Sequence, residues 1–136
     1  MARKPKALVF DSWAVLAYFG GEASAQAVAD LISDAHDGRT PMYISVVNAG
    51  EVWYILAREI SEGDADEAMT ELTGLGIESV DADWPLTRTA AALKARHKMS
   101  YADCYAAALA KARECVLVTG DKEFRQVKGD VSIRWV

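Results

Sequence analysis

The stretch His97–Phe124, "HKMSYADCYAAALAKARECVLVTGDKEF", decides how the rest of the chain is read. Its first half is alanine-rich and reads as a helix opened by Ser100, a residue type that caps helix N-termini. "CVLVTG" then reads as a short strand, and its unbroken apolar run suits a strand buried on both faces. Two acids bracket the unit: Asp103 in the first turn of the helix and Asp121 just past the strand. A helix that precedes a parallel strand runs down the sheet, so its N-terminus lies at the edge where the strand ends. Asp103 and Asp121 therefore belong to one edge, although a helix and a strand separate them along the chain.

The same alternation continues outward. "KALVF" (6–10) and "MYIS" (42–45) read as strands, as does "IESVD" (77–81), and a last strand falls near "VSIRWV". Helices are expected over 12–19, 22–36 (ended by Gly38), 46–60, 64–76 (set off by Gly63) and 82–97, the last with Pro85 in its first turn. No repeat, linker or low-complexity tract interrupts the pattern. It predicts a single α/β domain over 1–136: a three-layer sandwich with a central, mostly parallel sheet of four to five strands.

The composition excludes several classes. Half of the 136 residues are apolar and about a quarter charged, as in globular proteins, and no apolar run approaches the roughly 20 residues that span a bilayer. The first residues are basic, with no secretory apolar core, so the expected place is the cytoplasm. Cys104 and Cys115 form no CxxC pair and are expected to be reduced thiols. A net charge of −5 argues against simple coating of nucleic acid. Acids gathered around cations would offset much of that charge. "ARKPK" and "LKARHK" are basic runs; the first reads as solvated surface.

In a parallel sheet, ligands bind beyond the carboxyl ends of the strands. Asp11 follows the first strand directly and Asp121 follows "CVLVTG". Glu51 sits about two turns into the helix after "MYIS". With Asp103, four acids from distant parts of the chain fall on one edge. Each has a local alternative: Asp11 as a helix cap, Ser100–Asp103 as a capping box, Asp121 as the start of a turn or short helix. Glu51 is harder to explain locally, because Val47 and Ile55 flank it opposite the apolar stripe Ala49, Val52, Trp53, Leu56 and Ile60. Two like charges 4 Å apart repel by about 4 kcal/mol at an effective dielectric near 20, so such a cluster protonates in part or recruits cations. An all-oxygen set suits Mg2+ or Mn2+, ions that engage phosphate oxygens. The two histidines, His36 and His97, lie outside the pattern.

Four segments, "VFDSWAVLA", "ISVVNAGEVWYILAR", "SYADCYAAALA" and "LVTGDKEF", together resemble the PIN-domain nucleases, and most of all the VapC-type toxins of bacterial toxin–antitoxin pairs. The resemblance implies that Asp11, Glu51, Asp103 and Asp121 are a catalytic quartet binding Mg2+ or Mn2+, in an endoribonuclease that cuts RNA. Ser12 and Thr119 match hydroxyl positions beside that quartet, and Ser45 and Asn48 match polar positions ahead of the helical Glu. A VapB-like antitoxin partner and a homodimer are further implications. Lys94, Arg96 and Lys98, just ahead of the Asp103 helix, are candidates for contact with RNA. Trp13 stands where such proteins often carry a small residue; core packing is its expected role, base stacking the alternative. Two other functions compete: a phospho-receiver-like Mg2+-binding module, and a catalytically inactive PIN domain that only binds.

Overall fold

A computed structural model of the chain describes residues 5–136. The basic run at the N-terminus thus lies mostly outside the described residues; its last two members, Pro5 and Lys6, are exposed.

The strands are β1 (Leu8–Phe10), β2 (Met42–Ser45), β3 (Ile77–Val80), β4 (Val116–Thr119) and β5 (Ser132–Trp135). The helices are α1 (Ser12–Phe19), α2 (Ala25–Asp37), α3 (Val46–Glu59), α4 (Glu62–Gly74), α5 (Trp84–Arg96) and α6 (Tyr101–Ala112), with a 3₁₀ helix over Lys122–Val127. The five strands lie in the order β3-β2-β1-β4-β5, and every neighbouring pair is parallel. Successive connections run outward from β1 to β3, then return to add β4 and β5 on the other side of β1. The order therefore reverses between β1 and β4, the position at which open parallel sheets form ligand crevices.

Alternation along the central strands sorts their side chains into two cores. Leu8, Phe10, Ile44 and Val118 pack with residues of α1 to α4 on one face. Val9 and Leu117 pack with α5, α6 and the 3₁₀ helix on the other. The alanines of α6 suit this arrangement: Ala106 to Ala108 and Ala110 are all buried, letting the helix approach the sheet closely. Cys104 and Cys115 are free thiols, both buried in that layer, as packing residues would be.

Strand-to-helix turns are very short, so cap residues lie right at the carboxyl edge. Asp11 is the single residue between β1 and α1, and Ser45 both ends β2 and caps α3. Some local expectations shift. Gly63 does not separate α3 from α4; it lies in the first turn of α4, whose cap is Ser61, accepting the Asp64 N–H at 3.0 Å. Ile60 is no part of a buried stripe: it is the C-cap residue of α3 and is 64% exposed, because the chain turns away there. Val46 and Tyr54 of α3 are also exposed.

Candidate active site

Asp11 is almost wholly buried at the reversal between β1 and β4, 1% exposed. One carboxylate oxygen accepts the Ala14 N–H at 2.8 Å and so caps α1. The other accepts the Thr119 hydroxyl at 2.5 Å, and that hydroxyl accepts the Asp121 N–H at 3.0 Å. The ends of β1 and β4 are thereby tied through one threonine. Burial drives the Asp11 carboxyl up to about 7; the hydrogen bonds from Thr119 and Ala14 pull the other way, and Asp103 and Asp121 add repulsion.

Asp103 sits in the first turn of α6, where Ser100 caps the helix by accepting the Asp103 N–H at 3.1 Å. Its carboxyl rises to about 6, through burial first and then the charge of Asp121, with Glu51 and Glu123 adding smaller repulsions against the Ser100 hydrogen bond. The four acids named from sequence thus act on one another across four separate elements. They are not equivalent in position. Carboxylate oxygens of Asp103, Asp121 and Glu123 lie within 4.8 Å of one another, and this triad excludes Asp11 and Glu51. Glu51, half-buried, lies on α3 and accepts the Tyr54 hydroxyl at a long 3.4 Å.

A buried polar knot holds the three helix ends that carry these acids. The Asn48 side chain accepts the Ser45 hydroxyl at 2.5 Å and donates to the Ser12 hydroxyl and the Ala102 carbonyl, both at 3.1 Å. The Ser12 hydroxyl donates to the Asn48 carbonyl at 3.2 Å, and the Asn48 N–H donates to Ser45 at 3.1 Å. One amide therefore joins α1, α3 and α6 one residue away from Asp11 and Asp103 and three from Glu51. Ser12, Ser45 and Asn48 spend their polar atoms on each other and on backbone.

The basic run lies beside this region. Lys94, Arg96 and Lys98 are exposed, and the Lys94 ammonium donates to the Met99 carbonyl at 2.7 Å, closing the loop before α6. The Lys98 backbone exchanges two hydrogen bonds with the Gln126 side chain, each 3.2 Å, so it is fastened to the 3₁₀ helix that carries Glu123. Neither histidine joins the acids: the His36 ring contacts the Leu75 carbonyl at 2.6 Å, and His97 is the C-cap residue of α5.

Sequence reading missed Glu123 and Tyr54. Residues two apart point about 200° apart around a regular helix, which discounts Glu123 beside Asp121. Here the Asp121 carboxylate caps the Glu123 N–H at 2.9 Å, and the tight 3₁₀ turn brings the two acids together. The i, i+3 spacing of Glu51 and Tyr54 was available as a signal.

The donor set is all carboxylate, the chemistry of a hard divalent cation. Its spacing is close to what metal–oxygen bonds of about 2.1 Å can bridge with small side-chain rotations. The cluster can therefore hold a divalent metal.

The family model of the PIN domain matches residues 8–130, nearly the whole chain. The chain belongs to the PIN domain family. No curated protein sequence matches this PIN domain. Its fold is similar to solved structures at low identity. One is VapBC2 from Rickettsia felis, bound to a promoter DNA fragment, with a TM-score of 0.74, 16% identity, and 96% of this chain and 98% of that one covered. Another is DNA-bound VapBC from Salmonella typhimurium, with a TM-score of 0.72, 16% identity, and 94% and 96% coverage. A third is Mycobacterium tuberculosis VapC20, described as a Sarcin-Ricin loop cleaving toxin, with a TM-score of 0.71, 19% identity, and 94% and 99% coverage. The sheet order also separates this PIN domain from receiver modules, whose flavodoxin-like sheet runs 2-1-3-4-5. No helix among the described residues is long and apolar enough to cross a membrane.

Proposed function

We propose that this PIN domain is a Mg2+- or Mn2+-dependent endoribonuclease and the toxin half of a toxin–antitoxin pair. The observation that carries the reading is the convergence of Asp11, Glu51, Asp103 and Asp121, joined by Glu123, on the carboxyl edge of the sheet where its strand order reverses. Asp103, Asp121 and Glu123 would hold the cation, with Asp11 and Glu51 on the two flanking elements beside them. Thr119 and Ala14 fix both oxygens of Asp11, and the Asn48 knot fixes the helix ends, so the acids are oriented before any substrate arrives. When bound, the cation supplies positive charge to a phosphodiester and lowers the pKa of a water. Arg96 and Lys98, exposed and with Lys94 bracing their loop, would contact the phosphates of an incoming RNA backbone.

The test is cleavage of labelled RNA by purified protein with Mg2+ or Mn2+, with and without chelator, beside Asp103→Asn. Cutting that needs metal and Asp103 is expected. Cutting that survives the chelator, or none with either metal, overturns the reading.

The antitoxin part rests on the similar VapBC complexes and on a groove of about 380 Å³ between α1, α3 and α4. Leu16, Phe19, Ile55 and Ile60 give it apolar walls, and Glu22, Glu59, Glu67 and Glu71 give it acidic ones. A partner segment with apolar and basic side chains fits this lining. Glu67→Lys with Glu71→Lys should weaken capture of an antitoxin encoded beside the gene; unchanged capture removes the groove from the reading.

A further inference from the structure

Gly120 precedes Asp121 and has no conformational reason to be glycine, since Gly21 and Gly76 are the glycines with positive φ among the described residues. Its reason is space. A Cβ on Gly120 would lie 2.7 Å from Cζ2 of Trp13 and closer still to Cζ3 and Cη2, where ordinary contacts are 3.4 Å or more. The far edge of the indole occupies the place of the missing side chain. Trp13 itself is partly buried against the core of α1 to α4, two residues after Asp11, so the ring bridges the ends of β1 and β4 at the reversal of the sheet. That edge contact gives Trp13 a packing role.

Resting on the metal-dependent reading above, we propose that Trp13 is a positioning residue for Asp121. Its indole docks on Gly120 and holds the Thr119–Glu123 turn where Asp121 and Glu123 face Asp103. The ends of the turn are held elsewhere, Thr119 by Asp11 and the Val136 N–H, and Phe124 by the core. The Asp121 N–H on Thr119 and the Glu123 N–H on Asp121 are internal to it, so the indole is the contact on Gly120 in the middle of the span. A methyl on Gly120 must push the ring or the turn by more than about half an ångström, and misplacements near 1 Å can cost a catalytic site on the order of 100-fold.

Four variants test this: Trp13→Ala, Trp13→Phe, Gly120→Ala and the double variant Trp13→Ala/Gly120→Ala. In metal-free protein, Trp13→Ala should speed hydrogen exchange of the Asp121 amide. It should also lower Mn2+ affinity measured by calorimetry by about 10-fold or more, the usual range for groups that orient metal ligands. Trp13→Phe, which keeps a ring, should recover part of both. Gly120→Ala should lower kcat with little change in KM, and the double variant should outperform Gly120→Ala, because the methyl then enters the space the indole left. Additive losses in the double variant overturn the proposal. So does a Trp13→Ala protein that melts lower yet keeps wild-type Mn2+ affinity and Asp121 exchange, which would leave Trp13 as core filler. If wild-type protein takes up no Mn2+, the nuclease reading falls, and the exchange data alone judge the Trp13–Gly120 contact.

Discussion

Asp11 serves as a helix cap through one oxygen and ties β1 to β4 through the other. One is taken by the Ala14 N–H and the other faces Thr119, so the short β1–α1 turn fixes the carboxylate rigidly. That rigidity comes with burial, and burial makes the charge unwelcome. Unfolded, the group titrates near 3.8; folded, near 7. Below pH 3.8 both states are protonated and the difference contributes nothing. Between those values the folded state keeps a proton that the unfolded state has lost, so stability falls as pH rises, and the loss is complete above about 7. Asp103, raised to about 6, acts in the same direction. Metal-free protein should therefore melt higher at pH 5.5 than at pH 8. Asp11→Asn keeps the cap and should be more stable than wild type at pH 8, with a shallower pH slope. A wild-type melting temperature that is flat or rising over this range would refute the assignment. Asn48 offers a second residue-scale test. Asn48→Ala strips partners from Ser12, Ser45 and the Ala102 carbonyl, all within a buried knot, and should cost about 1–3 kcal/mol in urea unfolding. A loss within experimental error would mean that water replaces the amide.

Among the elements, the 3₁₀ helix over Lys122–Val127 has the least stability of its own. It is six residues long, and Phe124 and Val127, both fully buried, anchor it to the α5–α6 layer. Each such side chain contributes about 1.5–3 kcal/mol by leaving water. This anchoring lets a short, polar segment present two acids in fixed positions. Through Gln126 it also fastens the loop that carries Lys98. If that loop guides RNA, Arg96→Gln with Lys98→Gln should weaken binding of single-stranded RNA. The salt dependence should flatten by roughly 0.7 in the log–log slope per lost phosphate contact. An unchanged slope would return the run to ordinary solvated surface. Lys94 is best left intact in that experiment, since its ammonium closes the loop on Met99.

For the whole molecule, the distribution of titratable groups predicts the cleavage products. The acid cluster gathers carboxylates and includes neither histidine, so nothing in it resembles the acid–base pair that turns an RNA 2′-hydroxyl into the nucleophile. On the proposed metal-dependent reading, water would be the attacking group, and the products should carry 5′-phosphate and 3′-hydroxyl ends. End-labelling checks this directly; 2′,3′-cyclic phosphate ends would sink the mechanism. His36→Ala and His97→Ala should keep most activity. A substrate with hydrogen in place of the 2′-hydroxyl at the cut should be cleaved more slowly, through lost recognition, but still cleaved.

Much of this was legible in the chain. Short strands such as Leu8–Phe10 and Val116–Thr119, largely apolar and alternating with helices, point to a parallel sheet, because that arrangement buries its central strands on both faces. The position of Asp11 and Asp121 after strands, and of Asp103 at the start of a helix leading into one, then determines their common edge. Other features were decided only in three dimensions. Strand order is one, since local patterns do not specify which strand neighbours which, and the reversal between β1 and β4 is what sets Asp11 beside Thr119 and Asp121. Glu123 is another: its nearness to Asp103 comes from a 3₁₀ turn held by distant core contacts. The Asn48 knot and the indole edge on Gly120 are of the same kind. Each joins residues 36 or more positions apart, and the energy of such contacts exists only once packing has brought the segments together.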